Sequence, residues 1–168
     1  MADLLNNTNS NANNYGDDAI VTLSPREHIR LRPGMYVGVV GDGSQPDEAL
    51  YVLIKEVVDN SIDEFIMGAG RQIDITLADN VVTVRDYGRG IPLKSLAAAV
   101  GQMNTGGKYG GDAFKKTVGL NGVGVKAVNM LSEEFTARSV RDGEARTVTF
   151  AKGLEVSDTS LQRPVILF

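Results

Sequence analysis

Apolar residues recur along this chain with two different periods. Between about Asp47 and Met67, the positions Leu50, Leu53, Ile54, Val57, Val58, Ser61, Ile62, Phe65 and Ile66 are spaced by threes and fours. That spacing predicts one long helix with one buried face, and Gly68-Ala69-Gly70 stops it. Ile73, Ile75 and Leu77 then alternate with polar residues, Asp79-Asn80 turns the chain, and Val82 and Val84 lie on a return strand. This strand runs into Asp86-Tyr87-Gly88-Arg89-Gly90. Leu93 to Met103 reads as a second helix and Val123 to Leu131 as a third. Phe135–Arg141 and Ala145–Phe150 form a hairpin about Asp142-Gly143, and Pro164–Phe168 reads as a final strand. Upstream, Ser24-Pro25-Arg26-Glu27 has the form of a capping box with proline at the first helical position, and Arg32-Pro33-Gly34 ends that short helix. Met35 to Val40 is expected to be extended, with Gly41-Asp42-Gly43-Ser44 a loop.

Helices interleaved with hairpin-linked strands predict an α/β two-layer sandwich: a mixed, mainly antiparallel sheet covered by helices on one face. The strand–helix–strand alternation of a Rossmann domain is absent. Residues 1–19, rich in asparagine and poor in apolar side chains, read as a flexible N-terminal arm with Tyr15 its one large aromatic. Residues 20–168 then form a single domain.

Composition removes several classes of function. With no cysteine and a single histidine, His28, neither disulfides nor a zinc site nor a Ser-His triad is in view. The formal charge of −4 supplies no general attraction for nucleic acid phosphates, which argues against a DNA-binding module. No apolar stretch is long enough for a membrane span, and the asparagine-rich N-terminus is no secretory signal. Glycine, at 19 residues, exceeds what the turns require.

Three elements could carry chemistry. Glu56, Asn60 and Glu64, four residues apart, share one helix face, flanked by Asp59 and Asp63 on the side away from the apolar stripe. A solvated face explains such a set. Yet a carboxamide is a weak helix former and a good neutral ligand for Mg²⁺, and a carboxylate one turn earlier could orient or deprotonate a water. Asp86-Tyr-Gly-Arg-Gly90 is either a glycine turn or an acceptor for an exocyclic amine beside a flat ring. Gly119-Leu-Asn-Gly-Val-Gly124 leads into the third helix. It is either a hinge or a set of exposed amides suited to phosphate oxygens. Lys108, after Gly106-Gly107, could add charge there or simply be solvated.

The order of these elements resembles a known family. Arg32-Pro-Gly-Met-Tyr-Val-Gly38, Glu56-Val-Val-Asp-Asn-Ser-Ile-Asp-Glu64, Asp86-Tyr-Gly-Arg-Gly-Ile-Pro92, Thr105-Gly-Gly-Lys108 and Val118-Gly-Leu-Asn-Gly-Val-Gly124 resemble the ATPase domain of bacterial gyrase B and topoisomerase IV subunits. The nucleotide fold of that domain, of Bergerat type, is shared with Hsp90, MutL and sensor histidine kinases. The resemblance covers roughly Tyr15 to Phe150. It implies a cytoplasmic enzyme that hydrolyses ATP with Mg²⁺ to power DNA strand passage. The implied partners are a second copy of itself in an ATP-dependent dimer, the DNA-cleaving topoisomerase subunit, DNA reached through other domains, and ATP-site inhibitors.

Carried onto this sequence, the resemblance makes Glu56 the general base, Asn60 the Mg²⁺ ligand and Asp86 the acceptor of the adenine amino group. Gly90, Ile91 and Pro92 would line the adenine slot with Val58 and Met103. Gly106, Gly107 and Lys108 would belong to a lid, and Leu120, Asn121, Gly122, Val123, Gly124 and Val125 would present amides to the phosphates. Tyr15 falls where the family's arm reaches into the partner's nucleotide site, and Arg89 and Arg141 match arginines at the pocket mouth.

The chain also departs from the pattern. Val52 stands where a histidine is frequent, Phe114 where a tyrosine hydroxyl touches nucleotide, and Asn121 where another histidine is common. The stretch from Pro92 to Gly106 is short for a gyrase, no Gly-Thr leads a last strand, and residues 152–168 read as shortened. The following domain, with its phosphate-contacting lysine, is not in the chain, so the fragment is expected to hydrolyse ATP poorly. Two rivals share the fold: a non-hydrolysing ATP clamp, against which Glu56 argues, and a kinase, for which His28 lies in poor context.

Overall fold

The computed structural model describes residues 20–106 and 122–162. Ser24 caps the first helix, α1 (Pro25–Leu31), through the reciprocal bonds of a complete capping box with Glu27. The next segment differs from the extended run expected. Pro33, at φ −59° and ψ −36°, is already helical, and its carbonyl accepts from Tyr36 and Val37 to close a one-turn helix, α2 (Gly34–Val37). The chain becomes extended only after Gly38, where Val39 forms a parallel bridge with Glu48.

The long helix, α3, spans Ala49–Ile66, and its amphipathic pattern is only partly used. Leu53, Ile54, Val57, Val58 and Ile62 are half-buried, while Leu50, Phe65 and Ile66 near its ends are exposed. Asp59 and Asp63, expected on a solvated face, are buried instead. Helix α3 has a second neighbour: it also packs against α5 (Gly124–Leu131), and the carboxylate of Glu56 lies over Gly124. Glu56, Asp59 and Asp63 fall on one stripe of the helix, at i, i+3 and i+7. Asp59 keeps a partner by pairing with Lys55 one turn earlier.

Five described strands form two antiparallel sheets. In the first, β1 (Ile73–Ala78) pairs with β2 (Val81–Asp86). The second has the order β3 (Glu134–Arg141), β4 (Glu144–Ala151), β5 (Leu154–Gln162). Each hairpin turns through two consecutive residues at positive φ: Asp79-Asn80, Asp142-Gly143 and Lys152-Gly153. Such turns match the right-handed twist of the paired strands. Strand β5 is not anticipated by the sequence pattern, and the strand expected at Pro164–Phe168 lies outside the described residues. The second predicted helix is shorter than its apolar run: a 3₁₀ turn at Leu93–Ser95 leads into α4 (Leu96–Gly101).

The core lies between α4, α5 and the second sheet, where Leu96, Val100, Val148 and Phe150 are buried with Val125, Phe135 and Ala137 against them. Each large apolar side chain buried there contributes about 1.5–3 kcal/mol. Ile29, Val37, Ala127 and Met130, from α1, α2 and α5, are buried as well. Polar ties fix the elements. Arg30 donates to the Met130 carbonyl, Arg26 to that of Lys152, and Arg146 bridges Asp158 and the Leu93 carbonyl. Helix α5 is therefore at the centre of the fold, which governs where its N-terminus points.

Candidate functional site

Two polar clusters flank α3, one at the N-terminus of α5 and one at the end of β2. The first is built from α3 and α5. Val123 precedes α5 with no side-chain cap, so the first-turn amides of Gly124 and Val125 have no side-chain acceptor from the capping position. Opposite them, the Glu56 carboxylate lies so close to Gly124 that a Cβ there would overlap it, with even Cγ only 2.8 Å away. Glycine is what allows the acid to reach the helix end. Asn60, one turn along α3, turns its amide nitrogen to the Glu56 carbonyl at 2.6 Å, so its oxygen is the end turned from the helix backbone. Gly122, at φ +61°, makes the turn into α5.

The second cluster is the turn after β2. Asp86 is exposed, and its carboxylate accepts from the backbone N–H of Gly88 at 2.8 Å. Glu64 holds the rest of the turn. It accepts from the Arg89 backbone N–H at 3.0 Å and from Nε and Nη2 of its guanidinium at 3.0 and 2.8 Å. The guanidinium bonds are the main reason the Glu64 carboxyl lies below its ordinary value. Gly88 packs on the Glu64 side chain, leaving 2.8–2.9 Å for a Cβ. Gly90, at φ +74°, approaches the Val140 carbonyl closely, and the Ile91 carbonyl accepts from the Ser139 hydroxyl at 2.7 Å. The turn is thus fastened to α3 on one side and to β3 on the other.

Of the residues singled out in the sequence, Glu56, Asn60, Gly122, Val123, Gly124 and Val125 are brought to one place. Asp86, Gly90, Ile91 and Pro92 follow one another on the second cluster, with Ile91 and Pro92 exposed. A cleft of about 210 Å³ opens beside Asp86, lined by Ser61, Phe65, Gly70 and Ile73 among others. Gly90, Ile91 and Pro92 do not line it. Met103 and Gly106 lie in the segment after α4, near Thr105. Tyr15, Gly107, Lys108, Phe114, Leu120 and Asn121 lie outside the described residues.

Sequence reasoning misses two residues that support the site. Glu64 reads there only as one member of a polar helix face, although a carboxylate two turns from Glu56 and ahead of Arg89 is a signal for a tie between helix and turn. Lys126 carries a signal too, because a lysine in the first turn of a helix opposes the macrodipole. It is buried and donates to the carbonyls of Thr105 and Gly122, each at 2.7 Å. Among the described residues no group of three or more histidines, cysteines or acids is placed to hold a metal, and no helix is long and apolar enough to cross a membrane.

The chain is 56% identical over 140 residues to the B-type subunit of DNA topoisomerase 4 from Borreliella burgdorferi, covering 83% of this chain and 23% of that protein. It is 42% identical over 153 residues to DNA gyrase B of Rickettsia conorii, covering 86% of this chain and 18% of that one. It therefore spans only about a fifth of the length of these relatives. The 43K ATPase domain of Thermus thermophilus gyrase B, solved with an aminocoumarin, superposes with a TM-score of 0.66 at 26% identity, over 84% of this chain and 36% of that one. The helix and antiparallel-sheet content found here matches that ATPase fold. Residues 45–156, two thirds of the chain, match the family model for histidine kinase-, DNA gyrase B-, and HSP90-like ATPases, and the chain belongs to that family.

Proposed function

We propose that this domain binds ATP with Mg²⁺ and hydrolyses it, and that the energy drives DNA strand passage by a bacterial type II topoisomerase of the gyrase or topoisomerase IV kind. The observation that carries the reading is Glu56, whose carboxylate meets the N-terminus of α5 beside Asn60. A helix N-terminus preceded by glycines suits phosphate oxygens, and a carboxylate beside it is where a water attacking the terminal phosphate needs a base.

In this reading Glu56 takes a proton from the attacking water while the amides of Val123, Gly124 and Val125 bind phosphate oxygens. Asn60 holds Mg²⁺ through its side-chain oxygen. One neutral protein oxygen suits this ion, which would take its remaining ligands from phosphates and water. When bound, the ion offsets phosphate charge. Asp86 accepts from the adenine amino group, and Gly90, Ile91, Pro92, Val58 and Met103 flank the base. Lys108 and the glycines at 106 and 107 contribute from the phosphate side, and Tyr15 reaches a partner copy's site. Catalysis then rests on positioning and on charge stabilisation. In the whole protein the domain dimerises with a second copy in the cytoplasm and acts with the DNA-cleaving subunit, while other domains hold DNA.

The test separates chemistry from binding. In a full-length topoisomerase subunit carrying this domain, Glu56→Ala is expected to leave ATP affinity within a few-fold and to lower hydrolysis by roughly 10²–10⁴-fold. Asn60→Ala is expected to weaken Mg-nucleotide binding itself, measured by calorimetry with a non-hydrolysable analogue with and without Mg²⁺. Equal loss of binding in both variants refutes the assignment.

A further inference from the structure

Lys126 is 3% exposed, and it lies at the third position of α5. Both facts count against a lysine, because burial removes the hydration of its ammonium and a helix N-terminus repels positive charge. The geometry supplies the compensation. Side chains on a helix lean toward its N-terminus, and this stem carries Nζ back past the first turn. There it donates to the carbonyls of Gly122 and Thr105, each at 2.7 Å. Two oxygens each 2.7 Å from one nitrogen are at most 5.4 Å apart, although 17 positions separate the residues in sequence.

The two carbonyls belong to functionally different stretches. Gly122, at φ +61°, makes the turn that presents the N-terminus of α5 toward Glu56. Thr105 follows Asn104, a non-glycine residue at φ +57°, in the turn that leaves α4. One turn further along α5, on the same face, buried Asn129 donates to the Val100 carbonyl of α4 at 3.1 Å. Two side chains of α5, at i and i+3, therefore hold the end of α4 and the turn after it.

We propose that Lys126 is a positioning residue: its buried ammonium clamps the backbone at Thr105 to the backbone at Gly122 and so fixes the α5 N-terminus for nucleotide phosphates. The clamp is a property of the free domain, whereas its consequence for nucleotide rests on the ATP-binding reading above.

Lys126→Met keeps the stem and removes the donors. Hydrogen exchange on this chain without nucleotide is expected to accelerate at least about tenfold in both 102–106 and 122–127, where the bonded amides of Gln102, Lys126 and Ala127 report on backbone that has lost its anchor. Affinity for a non-hydrolysable ATP analogue is expected to fall about tenfold. Lys126→Arg, which retains charged donors, is expected to keep exchange and affinity within about threefold of the parent. Unchanged exchange at either end in the methionine variant overturns the clamp, even if affinity falls, since Lys126 would then act on the nucleotide directly. If the methionine variant does not fold, the arginine variant decides, and loss of protection at both ends with the fold intact overturns the proposal. A parent chain that fails to bind the analogue counts against the ATP reading alone, because the exchange measurement needs no nucleotide.

Discussion

Gly124→Ala is expected to separate hydrolysis from stability. The added Cβ would overlap the Glu56 carboxylate and lie 2.8 Å from its Cγ. The atoms in the way belong to the far end of a flexible side chain, so Glu56 is displaced and the backbone stays. Gly124 is not among the positive-φ positions, so alanine adopts its backbone without strain. Alanine favours a helix over glycine by about 0.5–1 kcal/mol, less at a first position, and an off-rotamer Glu56 costs about 0.5–1.5 kcal/mol. These terms nearly cancel, and the melting temperature is expected to move by no more than about 4 °C. A general base moved by about 1 Å loses on the order of 10² in rate. Phosphate release by a full-length subunit carrying the domain should therefore fall about a hundredfold, with ATP affinity within a few-fold. The double variant with Glu56→Ala checks the cause. Once the carboxylate is gone the alanine has nothing to displace, so the two losses should not add. Parental hydrolysis in Gly124→Ala, or additive losses in the double variant, refutes the reasoning.

Gly90→Ala should behave oppositely, because φ of +74° is strained for alanine and the Cβ would meet the Val140 backbone oxygen at 2.7 Å. A loss of about 2 kcal/mol or more is expected in thermal or denaturant unfolding. Asp86→Asn replaces a carboxylate acceptor with an amide that can present a donor, and calorimetry is expected to show ATP binding weakened by about 1.5–3 kcal/mol. Unchanged affinity with ATP still preferred over GTP counts against the adenine role. The Glu64 carboxyl lies below its ordinary 4.5, chiefly through its bonds to the Arg89 guanidinium, so its stabilisation is complete above pH 4.5 and is lost as pH falls through the lowered folded value. Arg89 is 46% exposed, which limits the contribution to below about 1 kcal/mol. Glu64→Gln should lower stability above pH 4.5 and flatten that acid-side dependence in pH-resolved melting curves.

What could be read in advance followed local rules. The capping box at Ser24 and Glu27, the turns at Asp79-Asn80 and Asp142-Gly143, and the glycine-led start of α5 each depend on neighbours in sequence, and each stands close to where expected. The misses depended on what a segment meets in space. Met35 to Val40 contains β-forming residues, but Pro33 already has helical angles and begins a turn ahead of them. Strand β5 has few large apolar residues, and what holds it is pairing to β4 through the Lys152-Gly153 turn and the Arg146–Asp158 ion pair. The turn offered a local signal, a lysine-glycine pair directly after a strand, whereas the ion pair becomes visible only once the strands are paired.

The same distinction applies within the candidate site. That Glu56, Asn60 and the glycine turn into α5 belong together was legible from the order of the motifs, and the roles proposed for them come from the resemblance those motifs carry. Their supports were not legible, because a glutamate that braces a turn and a lysine that braces a backbone have the composition of ordinary surface residues. Glu64 holds the Asp86 turn through Arg89, and Lys126 holds the α5 N-terminus through two carbonyls. Both supports project from the helices, α3 and α5, that meet at Glu56 and Gly124. A shift of either helix would therefore move a reacting group and its brace together, whereas loss of a brace would loosen the backbone it holds and leave the helix in place. Hydrogen exchange at 102–106 and 122–127 distinguishes these cases, because a helix shift leaves the backbone amides beside the Lys126 bonds protected and loss of the ammonium does not.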